Sequence, residues 1–329
     1  MAKQNVKGRF SSDSVIRLVL NNKALLILIV LMIVSQILTR GLFFTEANLS
    51  SVSRQIVAFT MLGIGFTVVL ASGSVDLSVG HMLSFTGVAY AMMSKEMPLF
   101  AVILLTLGLG ALCGLFNGLI AEKLHLVPFI VTLATAQMFR GFASLLSDGQ
   151  SVSGVPQSVK FIGQGLVFGI PFSFIITIVL TVFVAILIYK TQFGCYVIAT
   201  GGNPEAASVS GINISLIRIL SFVIMGVFAA VGAIILTGRV SMAQPTAGAG
   251  MEMDAIAAVV IGGTPMSGGK ARVGGTVFGC LVIGVMNNLL NLLGVSSFWQ
   301  WVAKGIIIIL AILLDSQTER IFSKRLNKR

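Results

Sequence analysis

Charge is what this sequence has least of: only 10% of its 329 residues are Asp, Glu, Lys or Arg, while 56% are hydrophobic. A water-soluble fold of this length covers most of its outside with charged side chains, so the composition excludes one and makes lipid the solvent. Histidine is nearly missing as well, with His81 and His125 the two in the chain. Neither a metal-binding HExxH nor a Ser-His-Asp set can be assembled around them, and no enzyme active site or metal centre is expected. The three cysteines, Cys113, Cys195 and Cys280, are scattered without ligand spacing, which argues against a disulfide framework and against zinc. Acids number 11 and are almost absent from the apolar stretches. Transporters driven by a proton or sodium gradient hold ionisable groups there, so their scarcity argues against ion coupling. Asp76, Glu252 and Asp254 fall at turns or helix ends, where a carboxylate caps exposed amides or lines a gate. A phosphate-binding loop is missing too. The nearest candidate, GGTPMSGGKA at Gly262 to Ala271, puts Thr264 where the first glycine belongs and Ala271 where a magnesium-binding hydroxyl belongs. The chain is therefore not expected to hydrolyse ATP, and this stretch reads as a flexible turn.

What is present in quantity is glycine, 36 residues, which in lipid lets helix backbones approach closely. The basic excess, a net charge of +11, does not point to nucleic acid, because ten of the 22 basic residues sit in Met1 to Lys23 and Arg320 to Arg329. Basic flanks stay in the cytoplasm, so both ends belong inside and the number of crossings is even. Apolar periodicity gives spans at about Ala24 to Thr39, Ile56 to Ser72, His81 to Ser94, Pro98 to Ala121, Val127 to Leu146, Pro171 to Ile188, Ser215 to Thr237, Asp254 to Gly262, Val273 to Leu293 and Phe298 to Leu314. A polar, glycine-rich stretch from Ser147 to Gly169 interrupts them. The expectation is an all-α polytopic membrane protein of about ten transmembrane helices: a basic segment at 1–23, one membrane domain over 24–314 and a basic tail at 315–329.

Two of these spans, His81 to Ser94 and Asp254 to Gly262, are too short to cross a hydrocarbon layer of about 30 Å at about 1.5 Å per residue. Each must be broken, re-entrant or shielded by protein, the arrangement found beside conduction paths. Val68 to Gly87 and Val259 to Gly279 also resemble one another: an apolar segment, a small-residue turn, then a helix beginning Val-Gly. The polar groups inside the spans are mostly neutral: Asn117, Gln137, Asn287, Asn288 and Asn291. Amides of this kind exchange hydrogen bonds with the hydroxyls of an uncharged solute, and they equally bond one helix to the next. With Asp76 and Gln244 they form the candidate lining of a path. In the inferred cytoplasmic loop at about 189–214, Asn203-Pro204 followed by Glu205-Ala206-Ala207 reads as a short capped helix on the inner face, suited to docking another protein.

That Glu-Ala-Ala followed by Gly211 resembles, in part, the coupling motif of ABC importer permeases, without the Ile and Leu-Pro ending of the fuller pattern. The wider likeness is carried by GSVDLSVG at Gly73 to Gly80, GGNPEAASVSGI at Gly201 to Ile212, AQPTAGAGMEMDAIAAVVIGGTPMSGGKARVGGT at Ala243 to Thr276 and NNLLNLLGVSS at Asn287 to Ser297. In this order, over nearly the whole chain, the sequence resembles the ribose-type permeases, a group of bacterial monosaccharide ABC importer permeases of the inner membrane. The resemblance implies a homodimer, or a heterodimer with a similar subunit, bound to a cytosolic ATPase that uses ATP and magnesium and to an extracytoplasmic sugar-binding protein. No cofactor is implied for the chain itself. Asn203, Pro204, Glu205, Ala206, Ala207 and Gly211 would form the segment that couples to the ATPase, on a fold similar to the vitamin-B12-type importer permeases. Ribose is the implied sugar. Xylose, allose, galactose or a signalling furanose are the alternatives within the class, and an ion-coupled carrier of a neutral solute is the alternative outside it.

Overall fold

A computed structural model describes residues 23–306 and residue 309. The expected basic ends, apart from Lys23, and the last part of the final span lie outside the described residues. Among the described residues, six helices are long and apolar enough to cross a membrane: α2 (Glu46–Ala71), α4 (Leu99–Lys123), α5 (Pro128–Ser147), α7 (Phe172–Lys190), α10 (Ile214–Val240) and α12 (Val273–Leu292). A shorter apolar helix, α1 (Lys23–Leu38), precedes them, and residues 297–306 are helical after them.

Helices α2 and α10 form the centre. From Ile56 to Ala71 every residue of α2 is buried, because this helix has protein on all sides. It runs antiparallel to α10, with Gly65 against Phe228 and Gly232 against Ala58. On the other side of α10, Gly110, Gly114 and Gly118 of α4 repeat every fourth residue on one face and meet the backbone of Gly226, Phe222 and Ile219. A Cβ at Gly114 would overlap the Phe222 carbonyl oxygen, so glycine is required for this close approach. The outer faces of α4 and α7 carry exposed Leu104, Leu105, Leu112, Val179, Val182 and Phe183, the surface expected against lipid.

The two short spans are α3 (Val79–Met93) and α11 (Met251–Ile261). Eleven of the 15 residues of α3 and eight of the 11 of α11 are buried, so both are enclosed by protein, one of the three solutions open to them. Their junctions with α2 and α12 share a geometry. After α2, Gly73 has φ +82°, and the Ser74 N–H donates to the Val69 carbonyl at 3.2 Å. After α11, Gly263 has φ +93°, and the Thr264 N–H donates to the Val259 carbonyl, again at 3.2 Å. These are two Schellman caps at matching places in the two similar sequence segments.

The interruption after α5 has elements of its own: β1 (Val152–Ser153), α6 (Gln157–Gln164) and a hairpin of β2 (Leu166–Val167) and β3 (Ile170–Pro171). Strand β1 pairs antiparallel with β4 (Met242–Ala243), and Gln164 of α6 donates to the Arg239 carbonyl at 2.8 Å, closing the end of α10. The loop at 189–214 is also more ordered than expected, forming α8 (Gln192–Gly202) and α9 (Pro204–Val209).

Candidate functional site

The expected short helix forms as α9. Asn203 caps it, its Oδ1 accepting from the Ala206 N–H at 2.9 Å, and Pro204 takes the first helical position. Ala207 is buried and anchors the helix, whereas Glu205 and Ala206 are exposed and Val209 is 91% exposed. Gly211, at φ +83°, ends the turn, and the Ile212 N–H returns to the Ala207 carbonyl at 3.1 Å. A charged and an apolar group thus project together from a small, stiffly capped helix.

The end of α8, which leads into α9, is tied to the end of α2 and to the 262–272 loop. Gly201, at the end of α8, lies against the carbonyl oxygen of Ala71 and the N–H of Gly269, and that N–H donates to the same Ala71 oxygen at 3.0 Å. Gly268 packs on Gly73. The Tyr189 hydroxyl donates to the Ala271 carbonyl at 3.1 Å and accepts from the Val273 N–H at 3.0 Å, clamping the glycine-rich loop 262–272 to the end of α7. The end of α8, the end of α2 and the 262–272 loop therefore meet through backbone contacts, without long side chains between them.

The residues expected to line a path fall into separate groups. Asp76 and Asn117 are together, both fully buried at the α2–α3 junction. Asp76 Oδ1 accepts from the Ser78 N–H at 2.9 Å and from its hydroxyl at 2.6 Å, and Asn117 Nδ2 donates to Ser78 Oγ at 2.8 Å. Thr132 of α5 completes the junction by accepting the Leu77 N–H at 3.1 Å. These groups satisfy the backbone where α2 stops and α3 has not begun, as a broken segment requires. Asn288 bonds to Asn48 of α2 through reciprocal amides at 2.8 and 3.1 Å, an interhelical clasp. Asn288→Leu is expected to lower the unfolding free energy in detergent by about 1 kcal/mol, read as a lower denaturant midpoint, with uptake unchanged. An unaltered midpoint would remove the clasp.

Asn287 and Asn291 open on a polar cavity between α2, α10, α11, α12 and the helix at 297–306. Asp254 faces the same cavity and pairs with Lys304 at 2.7 Å, so capping is not its role. Gln137 is exposed on α5 beside exposed Arg140, and Arg140 lies within electrostatic reach of His81. Gln244 is exposed after β4, with its amide 3.7 Å from the Met242 sulfur. Near it the 241–250 connection dips into the fold. The Gly248 N–H donates to Ser84 Oγ at 2.9 Å, and Gly248 abuts Gly80, so α3 and α11 begin side by side.

A family described as the permease component of branched-chain amino acid transport systems matches residues 48–313. The chain belongs to this permease family. It is accordingly a multi-pass membrane protein, with its matched region running from α2 past the cavity. A ribose import permease protein of Haemophilus influenzae is 37% identical over 316 residues, which cover 94% of this chain and 98% of that one. A ribose import permease protein of Bacillus subtilis is 42% identical over 292 residues, 88% and 90% of the two chains. A galactose/methyl galactoside import permease protein of Escherichia coli is 35% identical over 294 residues, 83% and 88%. No solved structure matches the chain.

Sequence reasoning missed Lys304 as a partner of Asp254, Asn48 as the partner of Asn288, and Ser78, Thr132 and Tyr189 altogether. Ser78 stood inside a quoted motif and Tyr189 at the start of the inferred cytoplasmic loop. The others bond across 55 or more positions, except Lys304, which is 50 from its partner, and nothing in local periodicity announces such pairs.

Proposed function

We propose that this chain is the membrane-spanning subunit of an ATP-driven importer of a monosaccharide, ribose first, in a bacterial cytoplasmic membrane. The observation that carries this reading is identity of 37 and 42% to ribose import permeases over most of both chains. The family's own description names branched-chain amino acids, but the relatives described above are all sugar permeases, and the cavity amides Asn287 and Asn291 suit hydroxyls. In this reading the six long helices are joined by α1, α3, α11 and the helix at 297–306 to make ten spans, with both ends and α9 on the cytoplasmic side. The enclosed half-length helices suggest by analogy the vitamin-B12-type importer permeases.

Partners follow from the same reading. A cytosolic ATPase, using ATP and magnesium, receives α9 with Glu205, Ala206 and Val209. A second permease subunit, identical or similar, faces the α5 surface that carries Gln137 and Arg140, since an exposed guanidinium on a membrane span is stable against an aqueous path or a partner rather than against lipid. An extracytoplasmic binding protein delivers the sugar. Uptake of labelled ribose, by cells carrying the chain with its ATPase and binding protein, is expected to stop on ATP depletion and to persist when the membrane potential is dissipated. Loss with the potential alone would establish ion coupling instead. Uptake of labelled leucine but not ribose would establish the amino-acid reading.

A further inference from the structure

We infer that the cavity bordered by the Asp254–Lys304 pair is a binding station for one monosaccharide within the permease subunit itself. The inference rests on the sugar-import reading and adds the place where the sugar is held. The cavity measures about 230 Å³ and gathers Gln55, Arg239, Asp254, Asn287, Asn291 and Lys304 around an apolar floor that includes Phe59. A sugar ring of about ten non-hydrogen atoms fits such a space.

Its chemistry is that of a polyol site. Neutral amides, one opposite-charge pair and the Arg239 guanidinium offer donors and acceptors in many directions, while the aromatic face of Phe59 takes the C–H side of the ring. Two of the lining groups have unused capacity. Asn287 Oδ1 and Arg239 Nε are buried atoms without a hydrogen-bond partner among the described residues. The acceptor on α12 and the donor on α10 are each left to be completed by water or by a hydroxyl of the solute. The rest of the polar wall is held in position: Gln300 Nε2 donates to Asn291 Oδ1 at 2.9 Å and to the Val295 carbonyl at 3.0 Å.

The ion pair explains how such a site can release its occupant. Asp254 lies in the first turn of α11, where a carboxylate is favoured by the helix dipole, and Lys304 reaches it from the neighbouring helix. Removing either partner would leave a buried charge uncompensated. Two sugar hydroxyls can bridge the carboxylate and the ammonium instead, so binding exchanges partners and departure restores the pair. The weak capture that results suits a station through which solute must pass.

The test uses the purified permease with its ATPase, reconstituted in lipid discs, with saturation-transfer NMR against D-ribose. Proteoliposome uptake with the binding protein is measured in parallel. The wild-type complex is expected to give a ribose signal, and Asn287→Leu, which keeps the volume and deletes the acceptor, to abolish it. Uptake should fall tenfold or more. Asn291→Leu provides a second variant should the first not assemble, with the same expectation. A wild-type complex that imports ribose but gives no saturation transfer, or leucine variants that transport at the wild-type rate, would overturn the cavity assignment alone. A wild-type complex that imports no monosaccharide would overturn the functional reading with it.

Discussion

Gly201→Val is expected to abolish ATP-dependent uptake while the protein still reaches the membrane, and Gly202→Ala next to it to transport at close to the wild-type rate. The contrast comes from what each side chain would meet. A Cβ at Gly201 overlaps the Ala71 carbonyl oxygen and the Gly269 N–H, two backbone groups already bonded to each other at 3.0 Å. Neither can swing aside as the end of a side chain would. Room must come from moving α8, with α9 at its end, or from parting the end of α2 from the 262–272 loop. At Gly202 the nearest atom is the Gly269 Cα at 3.6 Å, an ordinary contact that a methyl group tolerates. Overpacking of this kind costs about 1–3 kcal/mol, small against the burial of a whole bundle, so folding survives and the geometry of α9 does not. The measurement is uptake into membrane vesicles, normalised to permease content. Wild-type transport by Gly201→Val would mean that α9 does not act through this glycine contact.

How much of this was legible in the sequence depends on the range over which each feature is determined. The long spans were readable because apolar periodicity is local, although α2 begins ten residues before its expected start at Ile56: Glu46 to Gln55 is too polar to register as a span yet continues the helix. The shortness of α3 and α11 was readable, and so was the likeness of their two junctions, which fold as matching Schellman caps around Gly73 and Gly263. Asn203-Pro204 signalled the start of α9 because capping needs only three residues. Helix α8 was hidden inside a presumed loop, since Gln192 to Gly202 contains three glycines and no acidic first turn. The grouping of polar residues was not legible. Asn287 and Asn288 are neighbours in sequence, yet one faces the cavity and the other bonds to Asn48, because successive helical positions point about 100° apart and only the packing of α2 decides which faces what.

Reversing the charge at Glu205 is expected to separate folding from transport. Glu205→Lys puts a cation in the first turn of α9, opposite to what the helix dipole favours, at a local cost of about 0.3–1 kcal/mol. The Asn203 cap, the Pro204 start and the buried Ala207 anchor are untouched, so the permease should insert and purify as the wild type does. Its carboxylate makes no ion pair among the described residues, and a role confined to this chain would leave uptake nearly unchanged. If α9 sits in a groove of the ATPase, a reversed charge at an exposed tip meets the partner directly, and like charges or unpaired charge at a contact cost several kcal/mol. The expectation is loss of ribose uptake by tenfold or more, weaker retention of the ATPase on the immobilised permease, and an intermediate result for Glu205→Gln. Retention separates this outcome from the Gly201→Val outcome, in which the ATPase still binds but its movement is not passed on. Normal uptake and normal retention in Glu205→Lys would remove α9 from the coupling path, and with it the reason for reading its exposed face as a docking surface.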